Sequence, residues 1–126
     1  MANRSSQRRF AVSAEDGKTV RLDESRTGKR VGLSISYPGP PRFAWVGLER
    51  TDVPCVADFV EAGTEALALD GPSDEGGRFE LVWNAQRNRL RVTIEPPFHW
   101  EGDLPFAELR RGAVDQLLRG LRAMSA

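Results

Sequence analysis

Apolar and polar residues alternate along several short stretches of this chain. The first half contains four such stretches, at residues 8–14, 19–23, 30–37 and 43–48. A period of two places one row of side chains against a core and the other row in water. Turn residues separate the stretches, so the pattern predicts an antiparallel meander of four strands with one wet face.

Two turns of this meander have recognisable chemistry. Asp16-Gly17 lies between the first two strands and is typical of a two-residue hairpin turn. The proline-rich segment 38–41 ends the third strand, because proline cannot donate a hydrogen bond to a ladder.

Helical spacing begins directly after the fourth strand. Thr51 or Asp52 suits the N-cap, and Pro54 suits the first turn. Gly63 can end the helix, whose last residue is expected between 62 and 69. The predicted buried stripe consists of Val53, Val56, Val60 and Leu67.

The second half repeats much of this pattern. Segment 70–77 is rich in Gly, Pro and acidic residues and is predicted to be a linker. Three strands are expected after it, at 78–83, 89–94 and 104–109, and then a closing helix. Residues 104–109 alone would also suit the first turns of that helix, and the repeat favours the strand. The apolar stripe of that helix is Val114, Leu117, Leu118 and Leu121.

The two halves correspond at a constant offset of 61 residues, so that 42–63 matches 103–124 in residue type and register. Each copy has a short apolar strand, a polar corner and an amphipathic helix. We therefore expect an internal duplication with pseudo-repeats at 8–69 and 78–124. The predicted fold class is α+β, with two tandem antiparallel-sheet-plus-helix units in the order ββββα–βββα. Residues 1–126 are expected to form one compact domain.

Charge is segregated along a chain whose net charge is zero. Residues 1–50 hold ten Lys or Arg against five Asp or Glu, a net of +5. Residues 51–86 hold one against eight, a net of −7, and residues 87–126 hold seven against five, a net of +2. A basic face can guide a polyanion even on a neutral protein, although such segregation can also serve only to solvate loops.

Composition excludes several classes of protein. A chain of 126 residues that is 40% hydrophobic is long enough for a real core. It has no apolar run long enough to span a membrane and no signal-peptide pattern at its start, so a cytoplasmic location is expected. Sixteen Arg against two Lys indicate the codon bias of a GC-rich bacterium.

Residues that could catalyse a reaction are few. His99 and Cys55 are the single histidine and the single cysteine. Cys55 lies near a helix N-terminus, where a thiolate is favoured, but its register places it beside the apolar stripe, so a buried structural role is expected. The sequence contains no metal-ligand spacing and no nucleotide-binding motif. We therefore expect no enzymatic activity, no metal and no cofactor.

Basic residues are interleaved with aromatic residues on the predicted strands. Arg89 and Arg91 are two residues apart and share one strand face. Arginines contact phosphates and aromatic rings stack on bases, so this pattern favours single-stranded nucleic-acid binding. The alternative is that Trp45 and Trp83 are core residues beneath the helices. The candidate contacts are Lys18, Arg21, Lys29, Arg30, Arg42, Arg87, Arg89, Arg91, Trp45 and Trp83.

The run KTVRLDESRTGKRVGLSIS at 18–36, followed by a loop, the strand FAWVGLE and a helix, resembles a repeat of the PUR and PC4-like (whirly-like) group. The resemblance implies four antiparallel strands before a helix, paired units and a basic curved sheet that binds single-stranded DNA or RNA. It covers about residues 8–66. In the second unit, the counterpart of strand 8–14 would fall at 69–75, within the predicted linker.

A protein–protein interaction module of the same fold is the alternative function. A bacterial immunity or adaptor protein would be an example, with the acidic stretch 52–75 facing its partner. If the two units do not complete each other's sheets, a homodimer is expected.

A second resemblance concerns a short motif. Arg4-x-x-x-Arg8 followed by Asp23-x-Ser25-x-x-Gly28 is similar to the signature of PilZ domains. It would imply that these arginines and this turn bind cyclic di-GMP.

Overall fold

The alternating stretches of the first half form four strands, as predicted. The computed structural model describes residues 8–39, 42–63, 65–84 and 86–125. Strands β1 to β4 are Arg9–Ser13, Thr19–Glu24, Arg30–Ser36 and Phe43–Glu49. They pair antiparallel in sequence order to form sheet 1.

The second half has the same plan. Strands β5 to β8 are Ala66–Asp70, Arg78–Asn84, Arg89–Glu95 and Phe106–Arg110, and they form sheet 2 in sequence order. Helix α1 (Val53–Ala62) follows sheet 1, and helix α2 (Arg111–Ser125) follows sheet 2. The predicted α+β fold of two sheet-plus-helix units is confirmed, and the expected strand at 104–109 corresponds to β8.

Strand β5 corrects the prediction for the second unit, which has four strands and not three. It pairs with β6 along its whole length, so segment 70–77 belongs to the turn of a hairpin and is not a linker. Leu67 lies in this strand and not on the helical stripe. The helix ends early because Gly63 adopts a left-handed φ of 70°, a common way to terminate an α-helix.

The first hairpin turn is also longer than predicted. The Ala14 amide donates to the Lys18 carbonyl at 2.8 Å, which encloses the three residues 15–17 and not a two-residue turn. Gly17 takes φ 89° within it, a conformation that glycine adopts without steric cost.

One hydrophobic core serves both units. The inner rows of both sheets and the apolar stripes of both helices belong to the same buried cluster. Side chains from all four layers line one small interior cavity, namely Leu22, Leu33, Leu48, Val56, Phe79, Leu81, Val92, Leu117 and Leu121. The two units therefore pair within a single chain.

Each unit also lays its first hairpin turn on the sheet of the other unit. The β5–β6 turn brings Asp74 and Glu75 to Arg30 of sheet 1, which also contacts Glu49. We call these four residues the acidic clasp.

The β1–β2 turn makes the corresponding contact with sheet 2. It brings Glu15 to Arg89 and Arg110, and we call these three residues the basic clasp. The two clasps join the units reciprocally at their surfaces.

A close approach between α2 and sheet 1 gives a test of this packing. A Cβ atom added at Gly120 would lie 2.8 Å from Cγ of Phe10 and 3.2 Å from a methyl carbon of Leu22. Overpacking costs about 1–3 kcal/mol, which exceeds the gain of about 1 kcal/mol from replacing glycine in a helix. We expect Gly120→Ala to lower the free energy of unfolding by about 1 kcal/mol in urea titrations.

Gly112 provides the matched control in the same helix. A Cβ atom at Gly112 would meet nothing within 4 Å, so Gly112→Ala should leave stability unchanged or raise it by up to about 1 kcal/mol. Equal stabilisation by both substitutions would show that α2 does not pack this closely on sheet 1.

A second test concerns Glu24 at the end of β2. Arg8 donates to its carboxylate at 2.9 Å and Arg50, in a short 3-10 turn before α1, donates at 2.5 Å. The hydrogen bond from Arg8 and then that from Arg50 lower the pKa of Glu24 from 4.5 to about 2. Because Arg8 also donates to the Ala123 carbonyl, this network ties sheet 1 to the last turn of α2.

A carboxyl group with a lowered pKa in the folded state stabilises the protein above its unfolded pKa, and this contribution is lost as pH falls through the folded pKa. The contribution of Glu24 is thus present above pH 4.5 and disappears near pH 2. We expect Glu24→Gln to lower the free energy of unfolding at pH 7 by about 2 kcal/mol after allowance for solvent screening. Urea titrations from pH 2 to 7 should show a shallower acid dependence in the variant, and parallel curves would contradict this assignment.

A candidate nucleic-acid interface

The loops that follow β3 and β7 bring aromatic residues of both units together. The rings of Tyr37 and Trp100 have centroids 6.0 Å apart, with an angle of 32° between their planes. The Arg42 guanidinium lies 4.3 Å from the Trp100 ring and 5.2 Å from the Tyr37 ring. The indole N–H of Trp100 donates to the Asp103 carbonyl at 3.2 Å, which fixes the orientation of this ring.

Cations continue this cluster onto sheet 2. Nζ of Lys18 lies 5.2 Å from the Tyr37 ring and 4.7 Å from the Phe106 ring. The Arg91 guanidinium lies 4.4 Å from the same Phe106 ring. These separations are within the roughly 6 Å range of cation–π attraction. We call the resulting row the aromatic–cation strip, which consists of Trp100, Arg42, Tyr37, Lys18, Phe106 and Arg91.

The strip leads to the basic clasp along the outer face of sheet 2. Arg91 is opposite Glu108 and pairs with it at 3.0 Å, and Arg89 is opposite Arg110. At about 3.3 Å per residue, Phe106 to Arg110 spans roughly 13 Å of strand. Arginines and an exposed ring therefore follow one continuous path.

Trp45 lies on the outer face of sheet 1, where it is half-buried. Its ring centroid is 6.1 Å from that of Phe98, with 50° between the planes. Phe98 and the neighbouring Phe43 are exposed at 43% and 54%, so flat apolar surface is open to solvent here. Trp45 is therefore not one of the core residues beneath the helices.

Trp83, by contrast, belongs to the core. It is 8% exposed on the inner face of sheet 2, and the Arg111 guanidinium lies 4.7 Å from its ring. Trp83 is in phase with Phe79 and Leu81 along β6, so all three side chains point inward, and the prediction that Trp83 stacks on bases is wrong.

Arg30 is also unsuited to the predicted phosphate contact. It reaches Asp74 at 2.8 Å and both Glu49 and Glu75 at 2.9 Å. Hydrogen bonds to Asp74, Glu49 and Glu75, in that order, raise its pKa. Three carboxylates around one guanidinium leave the acidic clasp with a negative surplus, which repels phosphate.

The remaining predicted cations lie outside the strip. Arg21 is on the outer face of sheet 1, one strand from Ser34 and two from Trp45. Lys29 lies in the turn beside the acidic clasp, and Arg87 lies in the β6–β7 turn, where its carbonyl accepts from Arg89 at 2.7 Å. Over the described ranges, the side chains of Arg21, Lys29 and Arg87 have no ion pair.

Sequence reasoning missed Tyr37, Phe106, Arg110 and Glu15 as components of this surface. The correspondence between the two proline-containing loops was the available signal, because paired repeats bring equivalent loops together. No local pattern links Glu15 to Arg89 or Arg110, which are 74 and 95 residues away.

The residues considered for other chemistry are dispersed. Cys55 is exposed on α1, so the expectation that it is buried is wrong. His99 is exposed in the loop after β7. In the part of the chain that the structure describes, no group of three or more His, Cys, Asp or Glu side chains could hold a metal ion. The helices found there are all too short or too polar to cross a membrane.

The residues of the PilZ-like motif are only partly described. Arg4 lies outside the described residues, and the Arg8 guanidinium is held by Glu24 and the Ala123 carbonyl. Gly28 has a φ of 74° in the β2–β3 turn.

Comparison with known proteins supports the fold. A crystal structure of MRP1/MRP2 from Trypanosoma brucei is similar over 95% of this chain and 92% of that chain, with a TM-score of 0.64 and 13% sequence identity. At this identity the likeness extends to the fold alone. No family model matches the sequence, and no curated protein matches it.

The buried indole of Trp83 gives a test of its position. Among the described residues its Nε1–H has no hydrogen-bond partner, and an unsatisfied buried donor costs about 1–3 kcal/mol. Trp83→Phe removes this donor but also removes packing volume, so the two effects should nearly cancel. We expect a change in unfolding free energy of about 1 kcal/mol or less in urea titrations. A loss above roughly 3 kcal/mol would indicate that the indole N–H has a partner.

Proposed function

We propose that this protein binds single-stranded nucleic acid along the aromatic–cation strip. The observation that carries the proposal is the alternation of three rings and three cations across both units. Bases stack on exposed rings regardless of sequence, while guanidinium groups contact the phosphates between them. The strip supplies both kinds of contact at close spacing.

The ion pairs identify which cations are available to a ligand. Arg91 keeps 48% of its side chain exposed despite its pair with Glu108, and Phe106 is 37% exposed. The Lys18 side chain is only 14% exposed and donates to the Phe106 carbonyl at 2.8 Å, so it orders the strip from within. We infer that Arg91 and Arg42 make the phosphate contacts and that Phe106 receives a base. The exposed rings of Phe43 and Phe98, which lie outside the strip, receive further bases.

The acidic clasp limits the path of the ligand. Its four side chains carry one positive and three negative charges, so a polyanion should avoid that end of sheet 1. The nucleic-acid strand is therefore expected to follow sheet 2 and the loops after β3 and β7. With a net charge of zero, the protein should bind weakly and lose affinity steeply as salt rises.

The acidic clasp favours a second candidate function, a protein–protein interaction module with a basic partner.

Binding of cyclic di-GMP and the resemblance to PUR and PC4-like proteins both stay predictions. We further propose a cytoplasmic location. Homodimer formation also stays a prediction: sheets 1 and 2 are separate four-stranded sheets, so the condition stated for it is met, although the two units share one core within the chain.

Titration of a labelled oligo(dT) at several salt concentrations tests the nucleic-acid proposal. We expect Phe106→Ala to weaken binding roughly fivefold or more, since a stacked base contributes about 1–3 kcal/mol. Phe106→Leu should weaken binding to a similar extent, because stacking requires the ring, which this substitution removes although it keeps much of the apolar area. Arg91→Ala should reduce the slope of affinity against salt by about 0.7 on logarithmic axes.

Arg119→Ala is the matched control, because Arg119 is exposed on α2, whose apolar stripe packs into the core, whereas the strip lies on the outer face of sheet 2 and in the loops after β3 and β7. It removes the same charge and should change affinity less than Arg91→Ala does. Absence of binding at low salt would reject the nucleic-acid proposal. Equal losses from Arg91→Ala and Arg119→Ala would show that binding depends on net charge and not on the strip.

A further inference from the structure

A single carboxylate lies between two arginines at the end of the strip. Nε of Arg89 contacts Oε1 of Glu15, and Arg110 reaches Oε2 at 3.2 Å. A second nitrogen of Arg89 is 3.4 Å from Oε2. Both carboxylate oxygens are thus engaged by guanidinium groups of two neighbouring strands, an arrangement that also suits a phosphate.

The two arginines face each other directly across sheet 2. Arg89 and Arg110 are register partners on β7 and β8, and like charges in such a position repel. In sheet 1 the pair at the same place, the last ladder pair before the helix, is Arg30 and Glu49, which are complementary on their own. Arg30 thus corresponds to Arg89 at an offset of 59 residues and not the predicted 61, whereas Glu49 and Arg110 keep the offset of 61. The pair in sheet 2 therefore requires an anion from elsewhere, and in the free protein the β1–β2 turn supplies it.

The basic clasp retains a positive surplus and has room beside it. Two guanidinium groups share one carboxylate, and the Arg110 side chain is 69% exposed. An open depression of about 540 Å³ adjoins Glu15 and Arg110, and it is lined also by Ser13 and Gln116. A larger anion could enter here from solvent.

We propose that Arg89 and Arg110 form a phosphate-binding site that the Glu15 carboxylate fills in the free protein. A phosphate group that enters the site displaces Glu15 and releases the β1–β2 turn from sheet 2. The phosphate could come from a nucleic-acid backbone or from a free phosphate compound. The backbone case rests on the proposed function, because the site lies where the aromatic–cation strip ends.

Glu15 is a competent competitor for this site at neutral pH. The hydrogen bond from Arg110, followed by that from Arg89, lowers its pKa, so it remains ionised. Displacing it exchanges one set of charged contacts for another, which reduces the net gain from a bound phosphate. The turn therefore acts as an internal inhibitor, and its removal should increase affinity.

Substitution of Glu15 tests this directly in the full chain. We expect Glu15→Gln to bind oligo(dT) about threefold to tenfold more tightly than the wild type, as expected for loss of two exposed ion pairs that compete with the ligand. Glu80→Gln is the matched control, since Glu80 is an exposed carboxylate on the same face of sheet 2. Adding Arg110→Ala to Glu15→Gln should abolish the gain.

A second measurement uses the unaltered protein and so does not depend on how the variant folds. The Ala14 amide donates to Lys18 within the β1–β2 turn, and release of the turn should accelerate its hydrogen exchange when oligo(dT) is added. Inorganic pyrophosphate serves as the probe for a free phosphate compound. It should raise the melting temperature of Glu15→Gln more than that of the double variant.

The outcomes separate the two proposals. If oligo(dT) binds no variant but pyrophosphate stabilises Glu15→Gln through Arg110, the phosphate site stands and nucleic-acid binding fails. In another outcome, oligo(dT) binds the wild type, Glu15→Gln gains no more affinity than Glu80→Gln, and exchange of the Ala14 amide is unaffected. The proposal that Glu15 fills a phosphate site is then overturned, and nucleic-acid binding stands. A gain with oligo(dT) alone supports the site and assigns it to the nucleic-acid backbone.

Discussion

The inner faces of both sheets share one hydrophobic core, and most other features of the molecule depend on this arrangement. Each sheet has one apolar row, and a row left in water would forfeit the burial that stabilises a small domain. The two helices complete the enclosure, with α2 close enough to sheet 1 to require glycine at position 120. The units therefore cannot be understood as independent modules joined by a linker.

Sharing a core determines which surface residues meet. Because the units are paired face to face, the loops after β3 and β7 converge, and Tyr37 of one unit contacts Trp100 of the other. The same pairing carries each first hairpin turn across to the opposite sheet, which produces the two clasps. The candidate interface is thus a consequence of how the repeats associate, and no single unit contains it.

Strand alternation predicted seven of the eight strands, because each has clear apolar and polar positions. The failure at β5 has a physical reason. ALALD places alanine at two outward positions, and alanine neither distinguishes an exposed face from a buried one nor favours a strand. Among candidate site residues, Trp45 and Trp83 differ only in whether they are in phase with the apolar row, which the local pattern already contained. Arg30 could not be judged from sequence, since its partners Asp74 and Glu75 are 44 and 45 residues away.

The two clasps show how equivalent positions in paired units can take on different roles. In sheet 1 an arginine opposite a glutamate receives two further carboxylates, so the contact is saturated and serves to hold the units together. In sheet 2 an arginine opposite an arginine receives a single carboxylate and remains electrostatically unsatisfied. A contact of the first kind gains nothing from an anionic ligand, whereas one of the second kind does. The asymmetry assigns structural and ligand-binding roles to opposite ends of a nearly symmetric molecule. It arises from two differences between the repeats: Glu49 in sheet 1 stands where sheet 2 has Arg110, and the opposite turn supplies two carboxylates to sheet 1 but one to sheet 2.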